Sequence, residues 1–205
     1  MLDLRSLNIS NQLKYKNEFL RKIIHLFDSI IPLSLLFIER ETLLYILLPI
    51  TITFTFLDIS RHYVLTLGKI YYYFFNRVTR EIEKKKNNVT GASYYLVGCL
   101  ITVYFFTDTS IIISSLLIMS ISDSFAALIG VRYGITKIYN NKSLEGSFAF
   151  LVSTFIILLI FFDINIFLLL FISVIITLVE LFSFYRLNDN LTIPISAALL
   201  LQYIL

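Results

Sequence analysis

The sequence is poor in the residues that build loops, disulfides and charged surfaces. Its 205 residues include no tryptophan, one cysteine, three prolines and six glycines. A single cysteine, Cys99, cannot form an intrachain disulfide or supply a metal cluster. So little proline and glycine excludes a collagen-like or linker-like chain. Charged residues make up only 15% of the chain, against about 25% in soluble domains, which is too few to cover a soluble domain of this size.

Hydrophobic residues are abundant instead. They make up 58% of the chain, against roughly 45–50% in globular proteins, and the mean hydropathy is +0.82. Phenylalanine and tyrosine dominate the aromatic residues, with 19 and 13 copies. Disordered chains have low hydrophobicity, so disorder is excluded. The composition is typical of an integral membrane protein.

Long apolar runs divide the chain into membrane-spanning segments. A spanning helix needs about 20 mainly apolar residues, and the runs lack the alternation of a transmembrane barrel. We therefore predict an all-α, polytopic membrane protein that forms a single domain over 1–205. Seven spans are expected, approximately at 23–39, 42–57, 91–107, 110–130, 147–162, 164–184 and 192–205.

The basic residues predict the orientation of these spans. All of the 17 lysines and arginines except Arg40 fall in the N-terminal tail (1–22) or in the second, fourth and sixth connections. Cytoplasmic segments carry the excess of lysine and arginine, so the N-terminus is predicted inside and the C-terminus outside. The long connection 58–90 is predicted to be a cytoplasmic or interfacial helix. A net charge of +3 gives no indication of nucleic-acid binding.

Ionisable residues within membrane spans are costly and indicate functional sites. The first helix, which begins before the span, carries Arg21, His25 and Asp28 on one face, as i, i+4 and i+7 neighbours. Asp123 lies in the fourth span, on a stripe of small residues that would allow close approach of a helix or ligand. Other candidates lie at the cytoplasmic edge or in the cytoplasmic half: Asp58, Glu180, Asp189 and Asn190.

The fourth connection is suited to binding an anion. Lys137 and the run Lys142-Ser143-Leu144-Glu145-Gly146-Ser147 offer cationic, hydroxyl and backbone N–H groups just before a helix. A helix N-terminus favours negative charge. An alternative is a simple capping turn that holds no ligand.

These polar residues share the predicted cytoplasmic side of the membrane. A transporter would more typically place them at the midplane, with broken helices and repeats. The pattern favours a membrane-embedded enzyme that takes an anionic substrate from the cytosol and a lipid from the bilayer.

The sequence resembles the polyprenol kinase family, which includes dolichol kinases, phytol kinases and CTP-dependent diacylglycerol kinases. That family is distantly related to phosphatidate cytidylyltransferases. The resemblance covers nearly the whole chain. It is carried by Glu18-x-x-Arg21-Lys22-x-x-His25, Asp58-x-x-Arg61, Arg80-x-x-Glu83, Thr90-Gly91-Ala92-x-Tyr94, Asp123-x-x-Ala126-Ala127-x-x-Gly130-x-x-Tyr133-Gly134-x-x-Lys137, Lys142-Ser143-x-Glu145-Gly146-Ser147, Glu180 and Asp189-Asn190-x-x-x-Pro194. The run between Gly134 and Lys142 is shorter than the family pattern.

The resemblance implies transfer of the γ-phosphate of CTP to the hydroxyl of a membrane lipid alcohol, with Mg²⁺ as cofactor. It implies Asp123 and Asp189 as metal-associated carboxylates. Asp58, His25 and Glu180 remain alternatives for the general base. The remaining candidates would bind the nucleotide: Lys142, Lys137, Arg80, Thr90, Gly91, Ser143, Glu145, Gly146, Ser147 and Asn190.

Two other functions stay open from the sequence. A CTP:phosphatidate cytidylyltransferase would use the same metal-bound triphosphate chemistry. A transporter or membrane scaffold without enzymatic activity is the third hypothesis.

Overall fold

The chain folds mainly into α-helices. The computed structural model describes residues 4–139, 142–182 and 188–205, with side chains from residue 16 onward. The helices are α1 (Leu4–Phe27), α2 (Ile30–Ser34), α3 (Arg40–Ser60), α4 (Leu65–Phe75), α5 (Gly91–Phe105), α6 (Thr109–Leu117), α7 (Asp123–Tyr133), α8 (Leu144–Phe161), α9 (Ile166–Leu181) and α10 (Asp189–Ile204). A π-helical turn, Ile118–Ser122, joins α6 to α7.

Among the described residues, three helical segments are long and apolar enough to cross a membrane: Arg40–Ser60, Thr109–Tyr133 and Leu144–Phe161. Helices α5 and α9 are also apolar, but shorter. The predicted mainly helical class is thus confirmed, and three of the apolar segments are candidate membrane spans. The sixth predicted connection lies partly outside the described residues, because 183–187 are not described.

The first predicted span, 23–39, is not one continuous helix. Helix α1 ends at Phe27, and the short helix α2 begins at Ile30. Pro32 has no N–H to donate, and its ring would collide with the carbonyl of the residue four positions earlier. That residue is Asp28, whose carbonyl accepts from the N–H of Ile31 instead.

Two connections differ from what the sequence predicted. In the second connection only α4 is helical, and 76–90 forms turns and irregular backbone. In the fourth, Lys137–Tyr139 (β1) pairs antiparallel with Lys142–Ser143 (β2). Short strands of this kind were not predicted.

The core surrounds the segment from α6 to α7. Helix α8 packs along α7, α10 packs against α5 and α6, and α1 packs against α7. The fully buried side chains are aliphatic or aromatic, as in Ile112, Leu116, Phe150, Ile172 and Leu201. The outer faces of α3, α8 and α9 carry exposed large apolar residues, which suits contact with lipid.

Two glycines allow close helix crossings. A Cβ on Gly98 of α5 would lie 2.5 Å from the backbone oxygen of Asn190 in α10. A Cβ on Gly146 of α8 would lie 2.8 Å from the backbone oxygen of Ala126 in α7. Both crossings therefore require a residue without a side chain.

Candidate functional site

The π-helical turn places Asp123 at the start of α7. Such turns widen a helix by one residue and are frequent at functional sites. Serine hydroxyls support this stretch: Ser120 donates to the carbonyl of Leu116 at 3.0 Å, and Ser124 donates to that of Ser120 at 2.6 Å. Ser122 accepts a hydrogen bond of 3.1 Å from Thr154 of α8. These contacts fix the backbone on both sides of Asp123.

Asp123 meets basic groups of α1. Its carboxylate forms a buried ion pair with the ammonium of Lys22. The Nε2 atom of His25 lies 3.7 Å from the same carboxylate oxygen. Lys22 and His25 are three residues apart, so they lie on one face of α1. The packing of α1 against α7 thus joins two segments that are about a hundred residues apart.

The His25 ring is held on its other side. Its Nδ1 lies 3.3 Å from a carboxylate oxygen of Asp28. The ring packs edge to face against Tyr95 of α5, with centroids 5.2 Å apart. The Tyr95 hydroxyl donates to the backbone oxygen of Asp28 at 2.8 Å. His25 is therefore fixed by two neighbouring groups and only 8% exposed.

A cavity of about 630 Å³ opens beside these residues. We call it the polar cavity. It is lined by residues from α1, α3, α4, the 76–90 connection, α5, α7 and the start of α10. The sequence-predicted site residues that line it are His25, Arg80, Thr90, Gly91, Asp123, Asp189 and Asn190. The fold thus brings predicted candidates from five separate segments around one space.

Basic groups crowd one part of this cavity. Arg21, Lys22 and Arg80 all line it. Arg21 donates to the carboxylate of Glu18 at 2.6 Å. Burial and the neighbouring Arg80 guanidinium lower the pKa of Arg21 below its ordinary value. An anion bound between the two guanidinium groups would relieve this repulsion.

Asp58 supports the N-terminus of α5 beside the cavity. Its carboxylate accepts from the N–H of Thr90 at 2.8 Å, the hydroxyl of Thr90 at 2.9 Å and the hydroxyl of Ser93 at 2.7 Å. The other oxygen of Asp58 lies 2.8 Å from the Arg61 guanidinium, and both side chains are fully buried. Asp58 therefore fixes Thr90, and it does not line the cavity among the described residues.

Glu83 and Asn190 hold the next residue, Gly91. Glu83 accepts from the N–H of Gly91 at 3.1 Å and from that of Arg80 at 2.8 Å. The side-chain amide of Asn190 donates to the carbonyl of Gly91 at 2.8 Å. These bonds join the 76–90 connection, α5 and α10 at the cavity wall.

Lys142 links three elements next to the cavity. Its ammonium lies 2.7 Å from the carboxylate of Glu180 in α9 and 3.2 Å from that of Asp189 in α10. It also donates to the backbone oxygen of Glu180. Burial by itself lowers the pKa of Lys142, but the two carboxylates outweigh it and raise that pKa above the ordinary lysine value. Lys142 and Glu180 do not line the cavity themselves. Lys142 is ion-paired with Asp189, which does line it.

The rest of the predicted anion site lies at the junction of α7 and α8. Ser143 caps α8 and accepts from the N–H of Gly146 at 3.2 Å, and Glu145 accepts from the N–H of Thr136 at 3.2 Å. Lys137 is exposed on β1, and the hydroxyl of Ser147 is buried without a hydrogen-bond partner. None of these residues lines the polar cavity. The cap that Ser143 forms on α8 is compatible with both alternatives that the sequence left open.

Sequence reasoning assigned no site role to several lining residues. Arg21 and Lys22 lie one turn before His25 and belong to the same family motif, but no specific role was predicted for them. Glu83 belongs to the motif Arg80-x-x-Glu83 and was likewise given no role. Nothing in the sequence distinguishes Tyr95 from the many aromatic residues of the core.

Two carboxylates of the cavity, now ion-paired with Lys22 and Lys142, could contribute ligands to a magnesium ion shared with a phosphate ligand. Mg²⁺ is commonly held by one or two carboxylates plus substrate phosphates. Asp123 and Asp189 provide two such groups on the cavity surface. No group of three or more His, Cys, Asp or Glu residues in the described ranges could hold a metal by itself. Phosphate oxygens would have to complete the coordination.

The fold and site define a helical protein with apolar candidate membrane spans and an open polar cavity. The chain is 38% identical over 186 residues to the uncharacterized protein RP860 of Rickettsia prowazekii, covering 87% of this chain and 90% of that protein. It therefore belongs to the same family as RP860. The uncharacterized protein MJ1137 of Methanocaldococcus jannaschii is 28% identical over 188 residues, or 91% of this chain and 93% of that protein. No family model and no solved structure matches the chain.

Proposed function

We propose that this protein is a membrane-embedded kinase that transfers the γ-phosphate of CTP to the hydroxyl of a lipid alcohol. The observation that carries the proposal is the polar cavity, where Asp123 and Asp189 face the same space as Arg21, Lys22 and Arg80. Phosphoryl transfer depends mainly on positioning and charge neutralisation. This set of side chains is suited to both tasks.

The basic residues would bind the triphosphate. Arginine matches phosphate oxygens with its planar fork of donors, and lysine acts as a point charge. Arg21 and Arg80 would hold the outer phosphates, and Lys22 would keep Asp123 ionised and in place. Asp123 and Asp189 would hold Mg²⁺, which when bound neutralises charge on the phosphate oxygens.

The apolar part of the cavity would receive the lipid. Ile24, Phe54, Phe75 and Ile82 line it together with the charged residues. Ile24, Phe75 and Ile82 are each more than 40% exposed. A lipid alcohol presents an apolar chain and a single polar hydroxyl, so one cavity with both kinds of surface suits it. A polyprenol, phytol or diacylglycerol all meet this description.

The proposal includes a topology of seven spans with the N-terminus and the polar cavity on the cytoplasmic side. The distribution of basic residues supports it. Arg40, the one basic residue on the other predicted face, donates to the backbone oxygens of Val103 at 2.9 Å and Phe106 at 3.2 Å. These two oxygens lie at the C-terminal end of α5. The N-terminal end of α5, at Thr90 and Gly91, borders the polar cavity.

The test is to supply membranes containing the protein with Mg²⁺, a lipid acceptor and CTP labelled at either the α or the γ position. Label that reaches the lipid from the γ position, with release of CDP, supports the kinase. Label from the α position with phosphatidate as acceptor, and release of pyrophosphate, would instead indicate a cytidylyltransferase. No lipid label with any polyprenol, phytol, diacylglycerol or phosphatidate would leave a transporter or scaffold.

A further inference from the structure

We infer that His25 receives the hydrogen bond of the acceptor hydroxyl through Nε2, and that Asp28 and Tyr95 are positioning residues that aim this nitrogen. The inference rests on the proposed function, since it assigns a place to the alcohol substrate. It also selects one residue among the three that the sequence left open.

The Nε2 atom of His25 is an unoccupied acceptor in this part of the cavity. It is buried and has no hydrogen-bond partner, although the residue lines the polar cavity. An unsatisfied polar atom in a buried position is costly unless a ligand or water pairs with it. A substrate hydroxyl placed there would supply the missing partner.

The other two candidates are occupied elsewhere. Asp58 is fully buried and receives hydrogen bonds from Thr90 and Ser93 as well as the charge of Arg61. Glu180 is paired with Lys142. Neither of them lines the polar cavity. They support the walls of the cavity, whereas His25 faces into it.

Asp28 determines which nitrogen of His25 carries the proton. A carboxylate only accepts hydrogen bonds, so Nδ1 at 3.3 Å from Asp28 is the protonated nitrogen of the neutral ring. Nε2 is then the bare nitrogen with a free lone pair. Tyr95 fixes the arrangement twice, by packing against the ring and by bonding to the backbone of Asp28.

The charges around His25 agree with this assignment. Asp123 is near Nε2, but its carboxylate is already paired with Lys22. Its distance from Nε2 is 3.7 Å, longer than a hydrogen bond. Asp28 is closer to Nδ1 and lacks such a partner among the described ion pairs. The carboxylate that selects the tautomer is therefore Asp28.

The tautomer can be measured without any activity assay. The chain has two histidines, and Nε2 of His62 lies 2.9 Å from the backbone oxygen of Asn88. A carbonyl only accepts, so His62 must be protonated at Nε2. Solid-state NMR of the full chain, labelled with ¹⁵N-histidine in lipid bilayers, should show opposite tautomers for the neutral rings. The His62→Gln variant assigns the signals.

Asp28→Ala should remove the preference of His25 for the tautomer that is protonated at Nδ1. Asp163→Ala, at an exposed site, should leave that preference unchanged. A His25 ring protonated at Nε2 in the unmodified protein, or unchanged in Asp28→Ala, would overturn the role of Asp28. Tyr95→Phe keeps the ring and removes the hydroxyl. It should broaden or split the His25 signals, and Tyr104→Phe on the same helix serves as its control.

Activity separates this inference from the proposed function. His25→Phe should lower kcat for γ-phosphate transfer by about 10²- to 10⁴-fold and leave the KM for CTP within about twofold. Asp28→Ala should lower kcat about 10- to 100-fold, the range seen for partners that orient a functional histidine. An active unmodified protein with an equally active His25→Phe variant refutes the inference and leaves the kinase standing. An unmodified protein that phosphorylates no lipid alcohol refutes both.

Discussion

Most of the buried charged side chains around the cavity form ion pairs, whereas buried Glu83 accepts hydrogen bonds from backbone N–H groups. Lys22 with Asp123, Arg61 with Asp58, and Lys142 with Glu180 each join different segments or successive turns. Moving an unpaired charge out of water costs several kcal/mol. Each pair therefore ties the placement of one residue to that of its partner. The consequence is that single substitutions at these positions have distinguishable effects on folding and on chemistry.

Replacing Asp123 with asparagine should abolish phosphoryl transfer and also lower the thermal midpoint, because the buried Lys22 ammonium loses its counter-charge. The amide keeps the shape of the side chain but loses the negative charge that pairs with Lys22 and that would hold Mg²⁺. We expect γ-phosphate transfer to fall by at least about 10²-fold, since charge stabilisation is a large part of catalysis. Membrane insertion, measured by resistance to alkaline extraction, should be unchanged.

Asp163→Asn is the matched control, because Asp163 is exposed and lies away from the cavity lining. It should retain full activity. An Asp123→Asn variant with normal turnover would contradict the role of Asp123 in metal and phosphate binding.

Arg61→Met should mainly destabilise the protein. Arg61 pairs with Asp58 and donates to the backbone oxygens of Glu83 at 2.8 Å and Asn88 at 3.1 Å. Its removal leaves the buried Asp58 carboxylate without a counter-charge, which costs about 3–5 kcal/mol. The thermal midpoint of the purified protein in detergent should fall clearly. Arg77→Met, at an exposed position, should change it little, and equal midpoints for both variants would refute the structural role.

Sequence patterns could identify the polar residues but not their partners. His25 and Asp123 stood out because charges are rare in apolar segments, Asp189 was implied by the family resemblance, and all three line the polar cavity. The pairing of Lys22 with Asp123 depends on how α1 packs on α7, which local spacing does not encode. The run from Ser143 to Ser147 suited either an anion or a helix cap, since the same hydroxyl and N–H groups serve both.

Helix ends and crossings, at the next scale, determine where these residues meet. The apolar run 23–39 hid the break between Phe27 and Ile30, which Pro32 causes, because hydropathy does not report a missing backbone donor. The π-helical turn before Asp123 was not predicted either, since serine-rich apolar sequence is compatible with ordinary helix. Lengths of the long apolar helices were predicted more closely, because apolar composition marks their extent directly.

Gly98→Ala should disturb both stability and activity. The added Cβ would lie 2.5 Å from the backbone oxygen of Asn190, and a backbone atom cannot move aside without shifting α10. We expect a loss of about 1–3 kcal/mol, as for other overpacked sites. Because Asp189 and Asn190 begin α10, γ-phosphate transfer should decrease as well.

Gly130→Ala provides the comparison for Gly98→Ala. The nearest atom to its added Cβ is the Ser143 hydroxyl at 3.1 Å, which is a side-chain atom and a milder contact. Its thermal midpoint should therefore fall less than that of Gly98→Ala. A reversed order would show that the α5–α10 crossing is not tight.

At the scale of the whole molecule, apolar and polar surfaces are segregated. Large exposed apolar residues cover the outer faces of α3, α8 and α9, whereas the cavity gathers charges from the ends of other helices. A bilayer around the apolar faces would satisfy them without a partner protein. The proposed topology follows from this surface together with the positions of the basic residues.

Labelling of single cysteines tests the proposed topology. The native Cys99 is fully buried, so it should react little with a membrane-impermeant maleimide and gives a low background. Lys85→Cys and Asp163→Cys introduce thiols at two exposed positions on connections that the topology places on opposite faces. In sealed right-side-out vesicles Asp163→Cys should be labelled and Lys85→Cys should not. Inside-out vesicles should reverse the result, and detergent should expose both. Labelling of both positions from one side would mean that the number of spans between them is not the predicted three. The basic residues would then no longer assign the polar cavity to the cytoplasmic face.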